Sequence, residues 1–212
     1  NLLAPGYMDS LHNQLTDLPQ SIDFSMSLIQ AIILDRVRPK GMLTSLISNI
    51  LEGCGIKTVF LPDAVQYEAE GGNLSSALEK MLTKYQQRRD ILQKKFSPEI
   101  DQYLENYSRN FWFKDLFVKS HALFSHMQNL IIRIAVVKFL FFSNPELDCL
   151  IDSPADYSPD DARKILDDVA VKTFYQFSRG IEHDQLFLTT IHEELCKQEM
   201  ESFTHFVLLL KF

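Results

Sequence analysis

Glycine is scarce in this chain, with 7 in 212 residues, and there is a single tryptophan. No G-x-G-x-x-G or Walker-type loop occurs, which excludes the usual glycine-rich phosphate cradles. Cysteine is nearly as rare. Cys54, Cys149 and Cys196 are odd in number and far apart, without a C-x-x-C. That pattern excludes a disulfide framework and a self-contained metal site, and it fits a reducing compartment. No H-E-x-x-H is present. An excess of basic residues is lacking too: 21 Lys and Arg stand against 28 Asp and Glu, for a net charge of −7. A general nucleic-acid binder is thereby excluded, because phosphate contacts need clustered cations. An acidic balance suits a basic or lysine-presenting partner, though solubility is the simpler explanation. The opening NLLAPGYMDS has neither a basic stretch nor a long apolar core, so no signal peptide is visible. It begins with Asn, and the expectation is a fragment or processed piece of a longer protein.

What is present is apolar helical pattern. Hydrophobic residues make up 46% of the chain and charged residues 23%, with 16 phenylalanines, ordinary values for a globular protein with a sizeable core. The stretch from His121 to Phe142, HALFSHMQNLIIRIAVVKFLFF, contains no Gly or Pro. Leu123, Phe124, Met127, Leu130, Ile131 and Ile134 recur at helical spacing. From Ile134 onward it is apolar all round except for Lys138, so it must be enclosed by other helices or by lipid. Arg133 and Lys138 disfavour lipid, because a charge near the bilayer centre costs about 2.5–3.5 kcal/mol on insertion scales. The fold class expected is all-α: a compact multi-helix domain around a central buried helix at about 121–142, with residues 1–212 as one module.

The other segments arrange themselves around that helix. Ser21 can cap a helix over SIDFSMSLIQAIILDRVR, and Thr44 a short one ending near Gly53. KTVFL at 57–61 reads as extended loop, since a lone strand has nothing to pair with. Asn73 caps a long helix with Leu74, Ala77, Leu78, Met81, Leu82 and Tyr85 on one face. Arg88, Arg89, Lys94 and Lys95 read as its solvated basic face, or as a docking patch. Ser97-Pro98-Glu99 signals a new helix start, carrying Ile100, Tyr103, Leu104, Tyr107 and Phe111 inward. Residues 143–158 read as an acidic loop. Ser158-Pro159-Asp160-Asp161 repeats the start signal for a helix to about Ser178, with Gly180 as its breaker and a further helix over 181–197. The apolar tail, 203–212, packs on the core or forms a surface.

Candidate chemistry is sparse. His121 and His126 share a helix face poorly, and His192 with Cys196 lacks further ligands, so no metal site is expected. Two polar groups interrupt apolar faces: Glu105-Asn106, beside Leu104 and Tyr107, and Arg179 with Glu182 and His183. Such charges are usually paired. The plain expectation is a buried ion pair of Arg179 with Glu105 or Glu182; the functional one is a polar pocket for a charged ligand or a lysine amine.

YLENYSRNFWFKDLF at 103–117, LIIRIAVVKFLFF at 130–142 and FSRGIEHDQLFL at 177–188 resemble the C-terminal half of the bacterial flagellin lysine-N-methylase family. The resemblance covers roughly residues 97–195. It implies cytoplasmic methylation of flagellin surface lysines with S-adenosylmethionine. It also implies an iron–sulfur cluster in a cysteine-rich N-terminal region that this chain does not contain, so the chain alone is expected to be inactive. On the same basis Glu105, Tyr107 and Glu182 are the catalytic candidates, and Asn106, Arg179 and His183 the candidates for binding substrate or cofactor. A second reading is a non-catalytic helical module that docks a protein partner or a membrane surface through the basic helix face or the apolar tail. Self-association stays open under either reading.

Overall fold

The computed structural model describes residues 13, 28–29, 42–61, 65–114, 123–181, 189, 193, 206 and 208–210. These residues form a compact, mostly helical domain with one small β-hairpin. The first continuous helix, α1 (Met42–Glu52), starts two residues before Thr44. It is followed by the hairpin of β1 (Ile56–Phe60) and β2 (Val65–Ala69), antiparallel with Ile56 opposite Ala69 and Phe60 opposite Val65. The reading of KTVFL as extended loop is therefore corrected. Its partner is VQYEA, where half-buried Val65, Tyr67 and Ala69 alternate with exposed Gln66 and Glu68, the period-2 pattern of a strand with one covered face. Gly55 makes the sharp entry into β1 with φ of +78°, a conformation that costs glycine little.

Helix α2 (Leu74–Lys114) begins where expected: the Asn73 side chain accepts the Ser76 amide at 3.1 Å. The helix end and restart expected around Ser97-Pro98 become a kink in one rod. Phe96 leaves helical geometry (φ −131°, ψ 30°) and the chain resumes through Pro98, whose ring would clash with the preceding turn of a straight helix. Leu78, Met81, Leu82, Tyr85, Leu92 and Phe96 are buried before or at the kink, and Ile100, Tyr107 and Phe111 after it.

The central helix is α3 (Leu123–Phe142), buried at every residue from Ala135 to Phe142. Tyr85 of α2 packs on it, with ring centroids 5.8 Å from Phe139 and 6.1 Å from Phe142. Among the described residues α3 is long and apolar enough to cross a membrane, but both its cations are buried within protein. Lys138 is buried and donates to the Leu210 carbonyl at 2.7 Å, and the Arg133 guanidinium lies 5.3 Å from the Phe111 ring centroid. Burial first, with Arg89 adding to the shift and Asp101 opposing it, brings the Lys138 amine down to about 8. Of the tail, Phe206 and Leu209 are buried, and Phe206 meets Phe124 edge to face. Those tail residues pack on the core.

Residues 143–158 are not one loop but a string of short turns: 3₁₀ turns at Pro145–Leu147 and Pro154–Asp156 around the one-turn helix α4 (Cys149–Asp152). Asn144 starts the string by accepting the Glu146 amide. Arg88 locks it to α2. That residue is 4% exposed. Its Nε and Nη2 reach the two Asp148 oxygens at 2.6 and 2.8 Å, and Nη1 donates to the Ser143 carbonyl at 2.8 Å. Arg88 thus belongs to the interior and not to a solvated basic face; Lys94 and Lys95 remain exposed. The last helix is α5 (Pro159–Ile181), capped by Ser158, whose Oγ accepts the Asp161 amide. Gly180 does not break it. A Cβ there would come within 2.8 Å of Leu43 Cβ, so glycine is what lets α1 and α5 cross closely.

The helices expected over 21–38 and 181–197 lie outside the described residues apart from isolated positions, of which Leu28 and Ile29 are helical and buried. His121, Glu182, His183, His192 and Cys196 also lie outside them.

A cleft between the second half of α2 and α5

Beyond the kink, α2 runs parallel to α5. Rungs join the two in rising order: Glu99 with Arg163 at 3.3 Å, Tyr103 with Asp167, and Tyr107 with Phe174 at 5.6 Å and Phe177 at 5.9 Å between ring centroids. Steps of about four residues on each helix keep these side chains on facing stripes. Because the seam is filled by large rings and long side chains, a cleft of about 660 Å³ stays open along it, a size typical of small-molecule sites. Asn106 and Asn110 line it from α2; Asp167, Val171, Tyr175 and Ser178 line it from α5. Tyr103, Tyr107 and Phe174 supply aromatic wall.

Of the described residues lining this cleft, Asp167 is the charged one. Its carboxylate accepts the Tyr103 hydroxyl. Burial, and then this bond, push the Tyr103 phenol well above its ordinary range, so it stays a neutral donor at physiological pH. At the rim, Arg179 donates to the Tyr175 hydroxyl at 3.0 Å, and its guanidinium lies 5.6 Å from the Tyr175 ring centroid. Behind the wall, Tyr103 packs edge-on against Phe141 of α3 at 6.4 Å. Lys138 shares a small void there with Tyr103, Leu104 and Phe174.

The structure sorts the residues singled out from sequence. Asn106 and Tyr107 line the cleft, and Leu104 backs it. Arg179 is exposed and touches the rim through Tyr175. Glu105 is on another face of α2, 59% exposed, in a surface pair with Arg109 at 2.6 Å. The expected buried pair of Arg179 with Glu105 is therefore corrected. One residue's offset, about 100° around a helix, separates Glu105 from the cleft residue Asn106. Among the described residues the buried arginines are Arg88 and Arg133 instead. Asn110, Asp167, Val171, Tyr175 and Ser178 were missed. The signal available was the stripe Asp167, Val171, Phe174, Ser178 at helical spacing, beside the inner face already recognised on α5.

His126 is buried between Phe111 and Trp112, with ring centroids 4.7 and 4.8 Å away. No group of three or more His, Cys, Asp or Glu side chains among the described residues is placed to hold a metal.

Compared with known families, residues 3–209 match the model of the FliB lysine N-methylase C-terminal domain. The match reaches well beyond the stretch 97–195 and takes in the helices and hairpin that precede it. No curated protein and no solved structure matches the chain.

Proposed function

The chain belongs to the FliB lysine N-methylase C-terminal domain family, and from that premise we propose that it serves the N-methylation of flagellin surface lysines in the cytosol. The family match is the observation that carries this reading. The α2–α5 cleft is the part of the domain that meets the reactants, being a small-molecule-sized space whose lining includes Asn106 and Tyr107 of the LENY stretch.

S-adenosylmethionine supplies an electrophilic methyl group on a sulfonium when it is bound. The cleft suits such a reaction in size and donor set: aromatic walls, two amides and one carboxylate. An iron–sulfur cluster does not fit the chain's own donors, since three separated cysteines fall short of four thiolates; no step is assigned to one. Methyl transfer needs a lysine amine that is neutral and in line. Apolar walls such as Phe174 disfavour the ammonium form, while the Asn106 and Asn110 amides can hold polar groups of the reactants in register. Tyr103, held by Asp167, keeps that side of the wall fixed. Glu105, which is exposed and paired with Arg109, has no part in this arrangement.

The test is flagellin methylation, followed by mass spectrometry, by the methylase that carries this domain. Asn106→Ala and Tyr175→Ala should each lower the rate at least about tenfold, with the melting temperature unchanged. Full methylation by both variants would remove the cleft from the reaction.

A further inference from the structure

We propose that tail residues 206 and 208–210 form a latch on α3, which closes over Lys138 and loosens when that amine carries its charge. Two observations carry it. The first is the polar anchor. Lys138 is 7% exposed, and its amine donates to the Leu210 carbonyl at 2.7 Å. Among the described residues that carbonyl is the acceptor the amine has. A cation in the second half of the central helix therefore relies on a segment 72 residues further along the chain. The second is the apolar seat. Phe206 and Leu209 are buried, and Phe206 meets Phe124 of α3 edge to face, with ring centroids 6.3 Å apart. That seat is shallow, since Phe124 and Leu210 are both exposed to solvent. A segment seated at the rim of a core can lift by local opening, without unfolding the rest.

The amine makes closure conditional. One carbonyl replaces only part of the hydration that an ammonium gives up on burial, and Leu104 and Phe174 beside it replace none. Among the described residues, the charges that act on it are Arg89 and Asp101 of α2. Tyr103 of α2 is a neighbour held neutral by its raised phenol, α5 presents Phe174, and the described tail residues bring no ionisable side chain. The closed latch therefore favours the neutral amine, whose proton leaves at about 8 instead of 10.5. Lifting the tail removes the acceptor, admits water and restores the ordinary value. Closing thus releases a proton between those values, and the latch tightens as pH rises through them. Well below pH 8 the amine is charged in both states and this gain is absent.

Amide hydrogen exchange of the unaltered chain tests this, with rates corrected for the intrinsic effect of pH. The helical amides of Leu208, Leu209 and Leu210 should be less protected than those of Val136 and Val137 in the buried part of α3. Their protection should rise about fourfold from pH 7 to 8.5. Lys138→Met should leave the tail profile level over the same range. Phe206→Ala weakens the seat without touching the titrating group, so it should lower tail protection at every pH and keep the fourfold rise. That variant and the unaltered chain decide the matter even if Lys138→Met fails to fold. A level tail profile in the unaltered chain would overturn the proposal. So would a rise that persists in Lys138→Met, or tail protection equal to that of α3, which would mean that the tail opens only by global unfolding.

Discussion

The two halves of α2 use their inner faces differently. Before the kink at Phe96, the helix is seated: Leu78, Met81, Leu82, Tyr85 and Leu92 are buried, and the one charge among them, Arg88, has its hydrogen bonds filled by Asp148 and Ser143. After the kink, the helix faces α5 across rings, and amides and a carboxylate line open space. The first half illustrates how a buried charge is tolerated, by saturation. The second shows how polar groups are kept available, by spacing the helices with side chains too large to interlock. Pro98 stands at the junction and lets one helix serve both ends.

The contrast breaks most readily at the lock. Asp148→Ala should cost about 2–3 kcal/mol by urea denaturation, less than a fully buried pair would, because Asp148 is 40% exposed and only Arg88 is left stranded. Arg88→Met should cost less than Asp148→Ala, since it removes the need together with the charge. The reverse order would mean that the pair is not what seats this half.

A smaller effect comes from Lys138, at the back of the cleft wall. The folded chain releases this proton near pH 8, whereas the unfolded chain keeps it to about 10.5. Between those values unfolding takes up a proton, so stability rises with pH. The gain should be about 1 kcal/mol from pH 7 to 9. Burial raises the Cys54 thiol from 9.0 and the Tyr85 and Tyr103 phenols from 10.0. Those groups take stability away as pH climbs toward and past their unfolded values, Cys54 first, so pH 7–8.5 is the clean window. Lys138→Met should flatten the rise, and a slope that survives it would assign the titration elsewhere.

Tyr103→Phe, which frees Asp167, should lower stability by about 1 kcal/mol in thermal unfolding. Smallest of all, Glu105→Gln should change stability by under about 0.5 kcal/mol and leave flagellin methylation intact. Loss of methylation in that variant would return Glu105 to the site despite its place on the outer face.

Much of this was legible beforehand where the cause is local. Asn73 and Ser158 act as caps because a short side-chain acceptor reaches an amide three residues on, which needs no tertiary partner. The enclosure of α3 followed from its unbroken apolar surface. The hairpin was harder: each strand is stable only through the other, and VQYEA had to be recognised before KTVFL could be. Gly180 was misread because a glycine that breaks a helix and one that admits a neighbour look alike until Leu43 is placed against it.

By itself, then, the sequence determined a mostly helical domain, its central helix, its caps and its family. Those depend on periodicity, side chains within one turn of the backbone they cap, and residue order. The tertiary structure alone decided that Arg88 is buried and Arg179 exposed, which face of the LENY turn looks into open space, and that α2 and α5 stand apart enough to leave a cleft. Those outcomes depend on what arrives from sixty residues away: Asp148 to Arg88, Asp167 to Tyr103. No pattern within a single helix encodes such a meeting.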